Sequence, residues 1–115
     1  MSVENSGIYL FDFNNATGQA SNPQKISTFN NGYGAAFSPD GTKVYYTDTW
    51  SANFYQYDTG ASAEVLLGAG GSSYAALAID GKIYVARYSM PWLGVVNNPN
   101  ASGLACNYEI GRAHV

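Results

Sequence analysis

Histidine and cysteine are almost missing from this 115-residue chain, which holds one of each, His114 and Cys106. A lone cysteine cannot close an internal disulfide and says little about redox compartment. A lone histidine beside a chain end leaves no Ser/His/Asp or Cys/His arrangement on a firmly held segment. Charge is scarce too, at 11% of residues, roughly half the usual fraction. The formal balance of −3 argues against a nucleic-acid surface. No apolar run approaches the roughly 18 residues needed to cross a bilayer, so no membrane span is expected. The N-terminus lacks a basic stretch followed by an apolar core, so no signal peptide is visible. On that reading the protein is cytosolic or its true N-terminus lies upstream.

Glycine and tyrosine are plentiful instead, at 13 and 10 residues. That mix suits aromatic-rich strands joined by glycine turns better than helices, which favour Ala, Leu, Glu and Lys. The length suits one ordinary domain.

The phrase "FSPDGTKVYYT" (Phe37 to Thr47) returns as "LAIDGKIYVAR" (Leu77 to Arg87), with Asp80-Gly81 falling 40 residues after Asp40-Gly41. Asp-Gly between apolar segments signals a hairpin, because glycine accepts the positive φ of such turns. Gly34 to Ser38 with Lys43 to Thr49, and Tyr74 to Ile79 with Lys82 to Tyr88, therefore read as two antiparallel pairs. In the second, Ile83 and Val85 alternate with Tyr84, Ala86 and Tyr88, so both faces are largely apolar, as in a sheet between neighbours.

A third run follows each pair, Asn53 to Gly60 and Trp92 to Pro99, and Ile8 to Gly18 looks like the same strand of an earlier copy. There Phe11-Asp12 matches Tyr57-Asp58, and Thr17-Gly18 matches Thr59-Gly60. Asp12 and Asp58 are thus expected to cap turns by accepting backbone N–H groups. Fourth strands follow at Gln24 to Phe29 and Ala63 to Gly68.

A four-strand unit recurring at about 40 residues is the signature of a β-propeller blade. The expected fold is all-β, a fragment of a β-propeller with four-stranded antiparallel blades, about two and a quarter in number. Residues 7–30 end one blade, 31–70 make a full one, and 71–109 a partial one with three strands. A single β-sandwich is the competing architecture, but it has no need of a fixed repeat. An incomplete propeller leaves apolar faces open, and each large side chain so exposed forgoes roughly 1.5–3 kcal/mol. The remaining blades of a longer parent protein are therefore the first partner expected.

Residues 110–115, "IGRAHV", show no strand pattern. They are also what results from translating the start of a common sequencing-adapter oligonucleotide, and are expected to be a non-native tail. Without Arg112 the formal charge of −3 becomes −4.

The segments "GYGAAFSPDGTKVYYT", "FYQYD", "LAIDGKIYVAR" and, most specifically, "LGVVNNPNASGLACNY" (Leu93 to Tyr108) resemble the propeller-like, YVTN- and WD-repeat-like region of large secreted Bacteroidetes proteins. These typically end in a gliding-motility-type sorting domain used by the type IX secretion system. The resemblance covers about Ile8 to Tyr108 and departs at Ala78-Ile79-Asp80-Gly81, where such repeats usually carry proline before the aspartate. It implies an extracellular or cell-surface location and transfers no catalytic residue.

The residues themselves offer little chemistry. "GAGGSS" (Gly68 to Ser73) lacks the Gly-Lys-Ser/Thr ending of a phosphate loop and reads as a connection between blades. Asp12, Asp40, Asp58 and Asp80, with Gly41 and Gly81, read as turn formers; they do not form a D-x-D-x-D calcium loop. No catalytic residue, metal or cofactor is expected. Tyrosines 45, 46, 55, 57, 84 and 88 read mostly as packing between blades. Trp50 and Trp92 lie in or beside the loop after the second strand of each repeat. Two indoles on one rim would stack on a sugar or grip a peptide; the plainer reading is that each caps its own blade edge. Asn15-Ala16-Thr17 and Asn100-Ala101-Ser102 match the glycosylation sequon, which means little in a bacterial protein.

The function expected is therefore a non-catalytic propeller module of an exported surface protein, a scaffold or platform for a protein or glycan ligand. The alternative is part of a lactonase- or hydrolase-like propeller enzyme, which would ring its channel with carboxylates and a metal. Gly34 and Tyr74, at the starts of the first strands, supply no such carboxylate.

Overall fold

In the computed structural model, which describes residues 2–3, 7–27, 32–48, 53–69, 73–87 and 92–112, strands pair antiparallel with their neighbours in the chain. The first sheet holds β1 (Ser2–Val3), β2 (Gly7–Asn14) and β3 (Gln19–Ser27). The second is the meander β4 (Gly32–Phe37), β5 (Lys43–Asp48), β6 (Asn53–Asp58) and β7 (Ala63–Ala69). The third repeats it with β8 (Ser73–Leu77), β9 (Ile83–Arg87), β10 (Trp92–Val96) and β11 (Tyr108–Arg112). One short 3-10 turn, Gly103–Cys106, precedes β11 and is the only helical element among the described residues. The fold is all-β.

The two Asp-Gly hairpins form as the sequence predicts. Gly41 and Gly81 take φ of +75° and +83°, a region a Cβ disfavours. Their N–H groups donate to Ser38 O and Ala78 O, at 2.9 and 3.0 Å. The "GAGGSS" connection is partly strand, since β7 runs to Ala69 and β8 starts at Ser73; residues 70–72 lie outside the described residues.

Two elements differ from expectation. β3 begins at Gln19, five positions before the expected start. The third sheet has four strands, not three, because β11 takes in Ile110, Gly111 and Arg112. Arg112 pairs with Trp92 and Tyr108 with Val96. A strand edge offers backbone N–H and C=O groups to any extended segment, so pairing does not require an apolar alternation in the partner. Residues 113–115 lie outside the described residues.

The second sheet is buried on both faces, with a period of two. On β5, Val44 and Tyr46 face the first sheet, beside Ile26 and Leu10, together with Tyr57 and Tyr55 of β6. Tyr45 and Phe54 face the third sheet, where they meet Ala75, Ile83, Val85, Val96 and Cys106. Tyr45 stacks on Phe54 at 5.9 Å, and Phe54 meets Tyr108 at 4.8 Å. The four tyrosines of β5 and β6 are inter-sheet packing, as their positions predict. The third sheet is one-sided, contrary to its apolar alternation. Ile83 and Val85 are buried, but on the opposite face Ala76 and Ala86 are exposed. Tyr84 is half-buried and donates to Asp80 Oδ2 at 2.6 Å. Tyr88 lies outside the described residues.

Gly94 on β10 marks the tightest packing. A Cβ there would sit 2.9 Å from the Tyr108 ring and 3.1 Å from Val85 Cβ. Gly94→Ala is therefore expected to cost roughly 1–3 kcal/mol through overpacking. Chemical denaturation of the two chains measures it, and equal midpoints would refute the packing described.

Candidate functional site

The β10–β11 connection is built to reach sideways. Asn98, Pro99, Asn100 and Ala101 make a turn closed by Ala101 N donating to Asn98 O at 3.0 Å, with proline at its second position. Asn97 N and Asn98 N donate back to Asn107 O and Cys106 O, pinning the base of the loop. Asn107 leaves the 3-10 turn at φ +56°, which asparagine tolerates better than most residues.

Held this way, the loop docks on the second sheet through Gln56, which is completely buried. Gln56 Nε2 donates to Tyr45 Oη at 2.7 Å and to Ala101 O at 2.8 Å. Its Oε1 accepts from Gly103 N at 2.8 Å. Tyr45 in turn donates to Pro99 O at 2.7 Å. Burial pushes the Tyr45 phenol up, so it stays a neutral donor at ordinary pH. At the rim, Ser102 Oγ donates to Asp58 Oδ2 at 2.8 Å, and Asp40 N donates to Asn100 Oδ1 at 3.0 Å.

The turn aspartates serve this rim. Asp40 Oδ1 accepts from Ser38 Oγ, Thr42 N and Thr42 Oγ1, and these bonds, led by the Thr42 hydroxyl, hold its carboxyl below the usual range. Asp58 accepts from Gly60 N and Ala61 N and lies 3.7 Å from Lys43 Nζ; the Ser102 hydroxyl is the main cause of its lowered pKa. Asp80 is lowered chiefly by Tyr84 and also accepts from Lys82 N at 2.9 Å.

Asp12 does not cap a turn. It is exposed and accepts from Asn22 Nδ2 at 2.9 Å, across the β2–β3 ladder. The counterpart of Asp58 is Asn14, whose Oδ1 accepts from Ala16 N and Thr17 N at 2.9 and 3.3 Å. Asn14 pairs with Gln19 as Asp58 pairs with Ala63, so the two turns span the same interval. An amide oxygen serves such a turn as well as a carboxylate does, and matching aspartate to aspartate put the alignment two residues out.

Clefts open between the sheets among the described residues. One, of about 590 Å³, lies against Pro39, Gly81 and the loop 97–101. Another, of about 260 Å³, lies between the first and second sheets and is walled by Phe11 and Phe37. Nothing in the sequence singles out these phenylalanines, since each continues an apolar strand; Phe37 shares the Val44 face, toward the first sheet, and is left half exposed at the end of β4. Trp50 lies outside the described residues. Trp92 starts β10, at the end of the third sheet away from the Asp80–Gly81 turn. Among the described residues no three His, Cys, Asp or Glu side chains come together, and no helix is long and apolar enough to cross a membrane.

Gln56→Leu would strand Ala101 O and Gly103 N, at roughly 1–3 kcal/mol for each buried orphan. The expected result is a lowered denaturation midpoint, largely shared by Tyr45→Phe because both act in one network; unchanged midpoints for both would refute the docking. The three lowered aspartates add stability that is complete above the ordinary carboxylate pKa and is lost as pH falls through their depressed folded values. On their account stability measured against pH should therefore begin to fall as pH approaches 3.8 and go on falling below it, and the triple Asp→Asn variant (positions 40, 58 and 80) should flatten that limb.

No protein-family model and no curated protein matches the chain. Among solved structures it is similar to Kuenenia stuttgartiensis hydrazine synthase, with a TM-score of 0.55 at 17% identity. The likeness covers 76% of this chain and 26% of that one, so the chain spans about a quarter of that protein's length. At this identity the likeness concerns the fold alone.

Proposed function

We propose that the chain is part of a β-propeller serving as a non-catalytic binding platform in an exported cell-surface protein. The observation that carries this reading is the stacking of consecutive antiparallel meanders face to face, the middle one buried on both sides. The first strands of successive sheets, β4 and β8, lie against each other, as blades arranged round an axis require. Rigid stacked sheets of this kind hold variable loops on a rim, where binding is inexpensive to evolve. Further blades are the natural cover for Ala76, Ala86 and their neighbours on the open face of the third sheet. Export rests on the resemblance of "LGVVNNPNASGLACNY" and the repeats before it to secreted propeller-like regions. Trp50 and Trp92 remain candidate ligand contacts.

Sequencing the source genome through both ends of the reading frame tests the proposal. The expected result is further four-strand repeats and a C-terminal sorting domain. A stop codon directly after genomic codons for residues 110–115 would overturn it.

A further inference from the structure

The cleft between the first and second sheets has the chemistry of a ligand site. Phe11 of β2 and Phe37 of β4 line it while 39% and 50% exposed. A ring left that open forgoes much of the roughly 1.5–3 kcal/mol its burial would give. Around the rings stand Asp12, Asn22, Gln24 and Thr59. The Asp12–Asn22 bond of 2.9 Å uses one of the two amide hydrogens and one of roughly four carboxylate acceptor positions, so each group keeps capacity for a ligand. Gln24 is steadied by donating to Tyr57 Oη at 3.1 Å.

The backbone is distorted here. β3 sets two residues, Asn22 and Pro23, against the single Phe11, since Leu10 pairs with Gln24 and Asp12 with Ser21. Asn22 takes φ +53°, a strained value for a residue with a Cβ, at roughly 1–3 kcal/mol. A regular ladder would avoid that cost. Bulges of this kind re-aim side chains and cluster near functional sites, and this one sets the Asn22 amide on Asp12 beside Phe11.

We infer that this cleft binds one or two rings of a neutral glycan. The phenylalanine faces stack on the apolar face of the sugar, while Asp12 accepts from hydroxyls and the Asn22 and Gln24 amides both donate and accept. At about 260 Å³ the cleft lies just under the usual ligand range of roughly 300–1,000 Å³, which suits a mono- or disaccharide unit. Among the described residues Asp12 is the only charged one lining it, and the whole chain carries −3, so anionic sugars are disfavoured. The inference deepens the platform reading above but does not depend on export or blade number.

The test is titration of the full chain with maltose, cellobiose, mannobiose and N,N′-diacetylchitobiose, with digalacturonate as the anionic control, by calorimetry and saturation-transfer NMR. At least one neutral disaccharide should bind, and digalacturonate should not. Phe11→Ala and Phe37→Ala should each weaken binding about tenfold, the loss of a contact worth over 1 kcal/mol. Asn22→Gly, which accepts the positive φ freely, should weaken it several-fold with an unchanged far-UV spectrum. Failure of all four neutral sugars at about 10 mM, far above any useful Kd, overturns the site. Binding that survives both phenylalanine variants but is lost in Trp92→Ala overturns it while leaving the platform reading standing.

Discussion

The structure turns on one buried amide. Gln56 sits where the second sheet faces the β10–β11 loop, wholly out of water, with three partners at 2.7–2.8 Å. Burying an amide without partners costs a few kcal/mol, so the site tolerates only the arrangement that satisfies it. Tyr45 extends the same network to Pro99. Hydrophobic contact alone would let the two sheets slide over one another. The amide network fixes where the third sheet stands against the second, and with it the spacing of the turns along the rim.

The rest of the packing treats the second sheet as a shared wall. Its tyrosines present rings to both neighbours while their hydroxyls find polar partners, as Tyr46 does at Glu64 Oε2 (2.7 Å). Lys43, 6% exposed, is kept soluble in the interior by Thr42 Oγ1 and the carboxylate of Asp58. Asp40, Asp58 and Asp80 are committed in the same way, to the turns between strands.

Much of this was legible from local rules. The Asp-Gly turns, the third and fourth strands and the two-faced burial of β5 and β6 follow from glycine conformation and a period of two. Four features escaped. β11 was invisible because edge pairing draws on backbone groups that every residue carries. The Asn14 turn was hidden because an amide replaced the expected carboxylate. The Phe11 and Phe37 cleft arises from a bulge at Asn22–Pro23, a mismatch between two strands that neither shows when read singly. Gln56 belongs with these, since a glutamine in an aromatic strand reads as a surface residue until its partners across the interface are known.

The double-sided burial of β5 and β6 has a consequence for how the strands find their alignment. In a one-sided sheet, sliding a strand by one residue throws its apolar set into water, and that penalty locks the pairing. Here Val44, Tyr45 and Tyr46 are all apolar-bodied, so hydrophobicity is nearly blind to such a slip. The choice falls to the few groups that cannot be misplaced cheaply, Lys43 opposite Asp58 and the amide of Gln56. A handful of polar side chains thus acts as the index marks of an otherwise uniform aromatic ladder.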